Sequence, residues 1–161
     1  MTVQSHQPAA VATMLNPALL AAVIAHAADG YARESGVGLP WALSFVVAPM
    51  VLHRSTRDTL PTTTRTHLAT WVSRNPVARA GLPQRAISLV EPVRAGMRFG
   101  LAHGVFRVEG DRLVTSQRRR PRGFQTPTEL DGILRKSNLV GRWLSKTDSP
   151  ATVFAILGVA P

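Results

Sequence analysis

Apolar residues recur every three or four positions between Asn16 and Tyr31. Leu19, Leu20, Val23, Ile24, Ala27 and Tyr31 fall on one stripe, the period of a helix with a buried face. Its start is marked twice. Asn16 is a good N-cap, and Pro17 takes the first helical position, where a missing N–H costs nothing. The polar, alanine-rich segment 1–14 before it shows no period and reads as a flexible tail, leaving 15–161 as one domain.

The next pattern differs. After the turn Ser35–Pro40, the run Trp41–Leu52 is apolar on nearly every side. Periodicity does not separate a buried helix from a buried strand here; the length favours a helix broken near Pro49. Such a run is either the centre of the core or a face that a partner covers. Shorter helical stretches follow. Ser55, with Asp58 three residues on, has the form of a cap, and Pro61 ends that piece. Thr62–Thr64 open a helix through Arg74, with Leu68, Trp71 and Val72 apolar. Asn75-Pro76 starts another stretch towards Val90, and Pro92 separates it from a helix over Val93–His103.

The period then drops to two. Gly104 stops the helix, and Val105–Glu109 and Arg112–Gln117 alternate around Gly110-Asp111, a two-residue turn of the kind hairpins use. Alternation places Phe106 and Val108 opposite Val105, Arg107 and Glu109. A basic loop, Arg118–Gln125, leads to Thr126-Pro127-Thr128-Glu129, which has the form of a capping box. The helix it opens runs to about Lys146, and Gly141 weakens it. Ser149-Pro150 caps a last helix, Ala151–Leu157, which Gly158 ends. The pattern predicts a mainly α fold with a small β-hairpin, a winged-helix-like single domain.

Charge sharpens this picture. The net charge is +10, and seventeen of the nineteen basic residues are Arg. His53–Arg122 holds fourteen basic and four acidic residues; the remainder holds five of each, so one segment carries the whole imbalance. A localised basic field fits a polyanionic or acidic partner, and it also fits a solvated surface. On the helix and hairpin the candidate contacts to DNA or to an acidic partner are Arg94, Arg98, Arg107 and Arg112, continued by Arg118, Arg119, Arg120 and Arg122. Trp41, Phe45, Met50, Leu52, Phe154 and Ile156 are the candidate apolar face for a partner protein.

Chemistry is harder to find. With no cysteine, disulfides, thiolate zinc sites and Cys nucleophiles are excluded. The nine acids are scattered, and the five histidines show no metal-ligand spacing. No glycine-rich phosphate loop and no nucleophile elbow occur. These residues point to a non-enzymatic binding module with no catalytic residue, cofactor or metal. The start of the chain lacks the pattern of a signal peptide, and the longest apolar run, Leu39–Leu52, is too short to span a bilayer. The expected setting is soluble and cytoplasmic, without membrane contact.

An ordered set of short motifs carries a family likeness. Asn16-Pro17-Ala18, Gly30-Tyr31 and Gly36-Val37-Gly38-Leu39-Pro40 come first. Val47-Ala48-Pro49-Met50-Val51-Leu52-His53 and Arg57-Asp58-Thr59-Leu60-Pro61 follow, then Leu101-Ala102-His103-Gly104 and Ile156-Leu157-Gly158-Val159. From Asn16 onward the chain resembles the middle component of bacterial three-component ABC systems. The resemblance implies an accessory or adaptor subunit beside an SMC-like or ABC-type ATPase and an effector subunit, often a nuclease. Lamassu-type systems of this kind act against phage and plasmids. It implies no catalytic residue, and the Arg118–Arg122 cluster is not part of it. Double-stranded DNA stays open as a further partner. A free-standing winged-helix DNA-binding regulator is the alternative, and an enzyme would need polar groups that converge only in space.

Overall fold

The computed structural model describes residues 15–116 and 125–160. The first helix, α1 (Pro17–Ser35), is the axis of the fold. Asn16 caps it through its side-chain oxygen, which accepts the Ala18 N–H at 2.8 Å. It runs a turn beyond Tyr31 and stops at Gly36, whose φ of 77° is the left-handed conformation a helix end favours.

After α1 come a two-residue strand, β1 (Leu39–Pro40), and a single 3-10 turn, Trp41–Leu43. The apolar run then resolves as a helix, α2 (Ser44–Leu52), with Pro49 inside it. The break expected at Pro49 does not occur; the change in helix type falls earlier, at Ser44. Two short helices, α3 (Arg54–Thr59) and α4 (Leu68–Arg74), precede α5 (Pro76–Ser88) and α6 (Val90–Ala102). Pro92 lies in the first turn of α6, where proline is tolerated, so that helix begins before Val93. The hairpin β2 (Phe106–Glu109) and β3 (Arg112–Thr115) turns at Gly110, with φ 62°. The chain closes with α7 (Thr128–Leu144) and α8 (Pro150–Leu157).

The fold is thus mainly α with a small antiparallel sheet. The sheet has three strands rather than two, in the order β1-β3-β2, with Leu39 opposite Leu113 and Val108 opposite Leu113. β1 escapes a search for alternation because it is two residues long and ends in proline. Opposed residues share a face, so Leu39 and Leu113 bury together while Val108, on the edge strand β2, remains half exposed.

α1 is buried on two sides. Val23, Ala27, Ala28 and Tyr31 join the main core with α2, α4, α5, α7 and α8. Leu20, Ala21 and Ile24 enter a second cluster with Ala48, Val93, Phe106 and Leu113. The unit of α6 and hairpin is therefore docked on one flank of α1, while α7 packs along the other. Both contacts rest on small residues. A Cβ on Gly96 would strike Leu20, and one on Gly141 would strike the Ala27 carbonyl. Gly141 is a point of close helix approach, not merely a weak link in α7.

Two indoles fix the irregular segment between α3 and α4. Trp71 Nε1 donates to the Thr59 carbonyl at 2.8 Å, and Trp143 Nε1 donates to the Thr66 carbonyl at 2.5 Å. The two rings meet edge to face, with centroids 5.7 Å apart. The helix expected from Thr62 begins only at Leu68.

Candidate functional site

The basic candidates divide sharply. On α6, Arg94 pairs with Glu91 one turn back, at 2.5 Å. On the hairpin, Arg107 grips Glu109 with both Nε and Nη2, at 2.8 and 2.6 Å. Arg112 lies 3.8 Å from Asp111 and donates to the Gly38 carbonyl at 2.9 Å, tying the hairpin to the residue before β1. Of the four described candidates only Arg98 lacks an acidic partner among the described residues. Arg118, Arg119, Arg120 and Arg122 lie outside the described residues.

The exposed stripe of α6 therefore reads Glu91, Arg94, Arg98 and Leu101: one internal ion pair, one cation with no acidic partner among the described residues, and one exposed leucine. Exposed ion pairs of this kind contribute little stability, but they cancel the local field that would attract a polyanion.

The apolar candidates also divide. Met50 has 0% exposure and Phe154 only 7%, so both are packing residues. Phe45, Leu52 and Ile156 are partly buried against the cores. Trp41 stands apart at 44% exposure. Its backbone N–H donates to the Asp111 carbonyl at 3.0 Å, and its ring meets Phe45 edge to face with centroids 6.2 Å apart. A large aromatic thus stands in the open beside the hairpin turn.

A second cationic locus, which no sequence motif marks, lies in a cavity of about 310 Å³ at α3 and the α4–α5 corner. His53 caps α3, a task expected of Ser55. Its Nδ1 accepts the Thr56 N–H at 3.3 Å and lies 2.9 Å from the Thr56 hydroxyl and 3.2 Å from that of Ser55. Arg85 reaches in from α5, and its Nη2 donates to Thr56 Oγ1 and the Ala78 carbonyl, both at 3.0 Å. Its Nε is shielded from solvent without a partner. Burial holds the Arg85 pKa below the usual arginine value. Burial, and next the Arg85 charge, hold His53 below its ordinary 6.5. Arg74 from α4 lines the same space. The only forewarning was the charge count, which placed the start of the basic segment at His53.

One guanidinium is structural. Arg57 is buried on α3; its Nη1 donates to the Val51 carbonyl at 2.7 Å, and its Nη2 lies 3.5 Å from Glu129 on α7. Glu129 is therefore engaged from its side chain by Arg57, and the expected capping box is not formed: Pro127 is the N-cap, with no side-chain cap bond.

Among the described residues no group of three His, Asp or Glu side chains could hold a metal ion, and no helix is long and apolar enough to cross a membrane. No curated protein and no solved structure matches the chain. The profile of a family described as ABC-three component (ABC-3C) system Middle Component 3 does match, over residues 4–161, and the chain belongs to that family.

Proposed function

We propose that the chain is a non-catalytic adaptor. It links an SMC-like or ABC-type ATPase to an effector subunit, often a nuclease, in a bacterial complex directed against phage or plasmids. Family membership supplies the setting of a middle component with partners. The observation that carries the adaptor role is the exposure of Trp41 beside a hairpin whose arginines are already neutralised. An exposed tryptophan is the type of side chain that anchors protein interfaces. A face with cancelled charges suits a protein surface better than a phosphate backbone. Co-expression with the products of adjacent genes tests this: the chain is expected to co-purify with them as one complex. Recovery as an unbound species from that co-expression overturns it.

One observation favours a second reading, a free-standing winged-helix DNA-binding regulator. Helix, strand, helices and hairpin, with the first strand added to the hairpin's later strand, follow winged-helix connectivity. If Arg98 and Arg118–Arg122 make about four to six phosphate contacts, log affinity for duplex DNA falls with log salt at a slope of roughly −4 to −5. Replacing Arg118, Arg119, Arg120 and Arg122 by Ala then flattens the slope. Undiminished binding in that variant removes the cluster from the account.

A further inference from the structure

The cavity at α3 and the α4–α5 corner has no task in the adaptor reading, yet its chemistry is specific. Two guanidiniums, Arg74 from α4 and Arg85 from α5, line it, and neither has an acidic partner among the described residues. No carboxylate among the described residues lines it. Arg85 is partly desolvated, with its Nε orphaned. A cation partly taken from water without a counter-ion is unfavourable. An anion in the cavity, which Arg74 also lines, relieves it.

The remaining lining supplies neutral donors. With Nδ1 of His53 occupied as the acceptor that caps α3, the neutral ring carries its proton on Nε2. Ser55 adds a hydroxyl. Asn75 donates its amide back to the Trp71 carbonyl at 2.9 Å, so no side chain caps the start of α5, and Val77 and Ala78 at that start line the same space. An uncapped helix start adds positive potential to the two guanidiniums.

We propose that this cavity binds a phosphoryl group. A carboxylate is satisfied by one planar fork from a single guanidinium. Donors arriving from α3, α4 and α5 suit a tetrahedral group whose oxygens point several ways. The volume, about 310 Å³, lies at the lower end of small-molecule pockets, roughly 300–1,000 Å³, so it takes a phosphate alone or the phosphate end of a nucleotide. A backbone phosphate of nucleic acid offers the same chemistry.

The site stands independently of the adaptor role, and its test uses the chain without partners. Arginine Nε–H and backbone amide resonances are followed by NMR at constant ionic strength. The probes are inorganic phosphate, adenosine monophosphate and a short DNA duplex. Saturable shifts centred on His53–Thr56 and Asn75–Ala78 are expected, weakened at least about tenfold by Arg74→Ala and unchanged by Arg98→Ala. Arg85→Lys, which retains a charge but loses the Nη2 hydrogen bonds to Thr56 and Ala78 that hold the guanidinium in place, is expected to weaken binding as well. Shifts with phosphate or the nucleotide assign a free ligand. Shifts with the duplex alone, lost in Arg74→Ala, assign a nucleic-acid phosphate. Absence of saturable shifts with all three probes, or shifts that survive Arg74→Ala undiminished, overturns the proposal.

Discussion

Gly141 of α7 lies so close to Ala27 of α1 that a Cβ at Gly141 would overlap the Ala27 carbonyl oxygen. Gly30 makes the reciprocal approach, against the backbone of Asn138. Gly132, on the same helix α7, has nothing within 4 Å of where its Cβ would stand. The two positions therefore predict opposite signs for one substitution. Gly141→Ala is expected to destabilise the fold by about 3 kcal/mol or more, because neither helix backbone can yield cheaply. Gly132→Ala is expected to stabilise it by about 0.5–1 kcal/mol through helix propensity alone. Urea denaturation of the two variants checks the pair; equal effects would show that α1 and α7 do not pack through this contact.

That relationship also marks where sequence patterns stop informing. The helical stripe of α1, the proline and glycine punctuation and the hairpin around Gly110 were all legible, because each is set by neighbours along the chain. Gly141 read only as a weak helix former, because its reason is Ala27 on another helix. Caps were legible where a single strong acceptor stood alone, as at Asn16 and Ser149, whose side chains accept the Ala18 and Thr152 N–H groups. They misled where tertiary partners compete. His53 takes the cap from Ser55 because Thr56 is held from the other side by Arg85. The candidate site suffered likewise. Counting arginines located the basic segment but not the acids that neutralise Arg107 and Arg112. Nor could it assemble Arg74, Arg85 and His53, which come from three helix ends.

Arg57 predicts a contrast between its two partners. The Val51 carbonyl, at the end of α2, receives its hydrogen bond from a buried guanidinium. Arg57→Met leaves that carbonyl without its donor, and a loss of about 2 kcal/mol is expected. Glu129 is 62% exposed at its side chain and 3.5 Å away. Glu129→Ala is expected to change stability by less than about 0.5 kcal/mol. Thermal or urea unfolding of both variants decides whether Arg57 serves the carbonyl or the carboxylate.

His53 predicts a pH dependence with a definite sign. Its pKa in the folded chain lies below the ordinary 6.5, first through burial and then through Arg85. Above 6.5 the ring is neutral in folded and unfolded chains alike, and stability is at its full value. As pH falls below 6.5 the unfolded chain takes up the proton first, so stability declines until the folded ring protonates as well. Protonation also fills the Nδ1 lone pair that caps α3. Asn in place of His53 keeps a capping acceptor without a titrating group. The His53→Asn variant is therefore expected to flatten the decline in denaturation midpoint between roughly pH 7 and pH 5. An unchanged decline would assign the effect elsewhere. Glu34 titrates in a different window. Hydrogen bonds from Lys146, then Arg142, lower its pKa from 4.5, so its contribution is present above that value and disappears only on further acidification.

Trp41 predicts the behaviour of the adaptor surface. At 44% exposure it has area to lose to a partner, whereas Met50 has none. Trp41→Ser is expected to weaken assembly with the adjacent-gene products by about 2 kcal/mol or more, roughly thirtyfold. The lost packing on Phe45 is expected to lower the chain's own stability by about 1 kcal/mol. Met50→Ala should do the reverse, costing about 2–5 kcal/mol of folding stability while leaving the affinity of the folded fraction unchanged. Ile87→Ser, at a residue 67% exposed on α5, controls for loss of any surface hydrophobe. Pull-down titrations beside unfolding curves separate these effects. If Trp41→Ser assembles as the unaltered chain does, the partner face lies elsewhere, and the exposed Leu101 of α6 and Val108 of β2 become the next positions to replace.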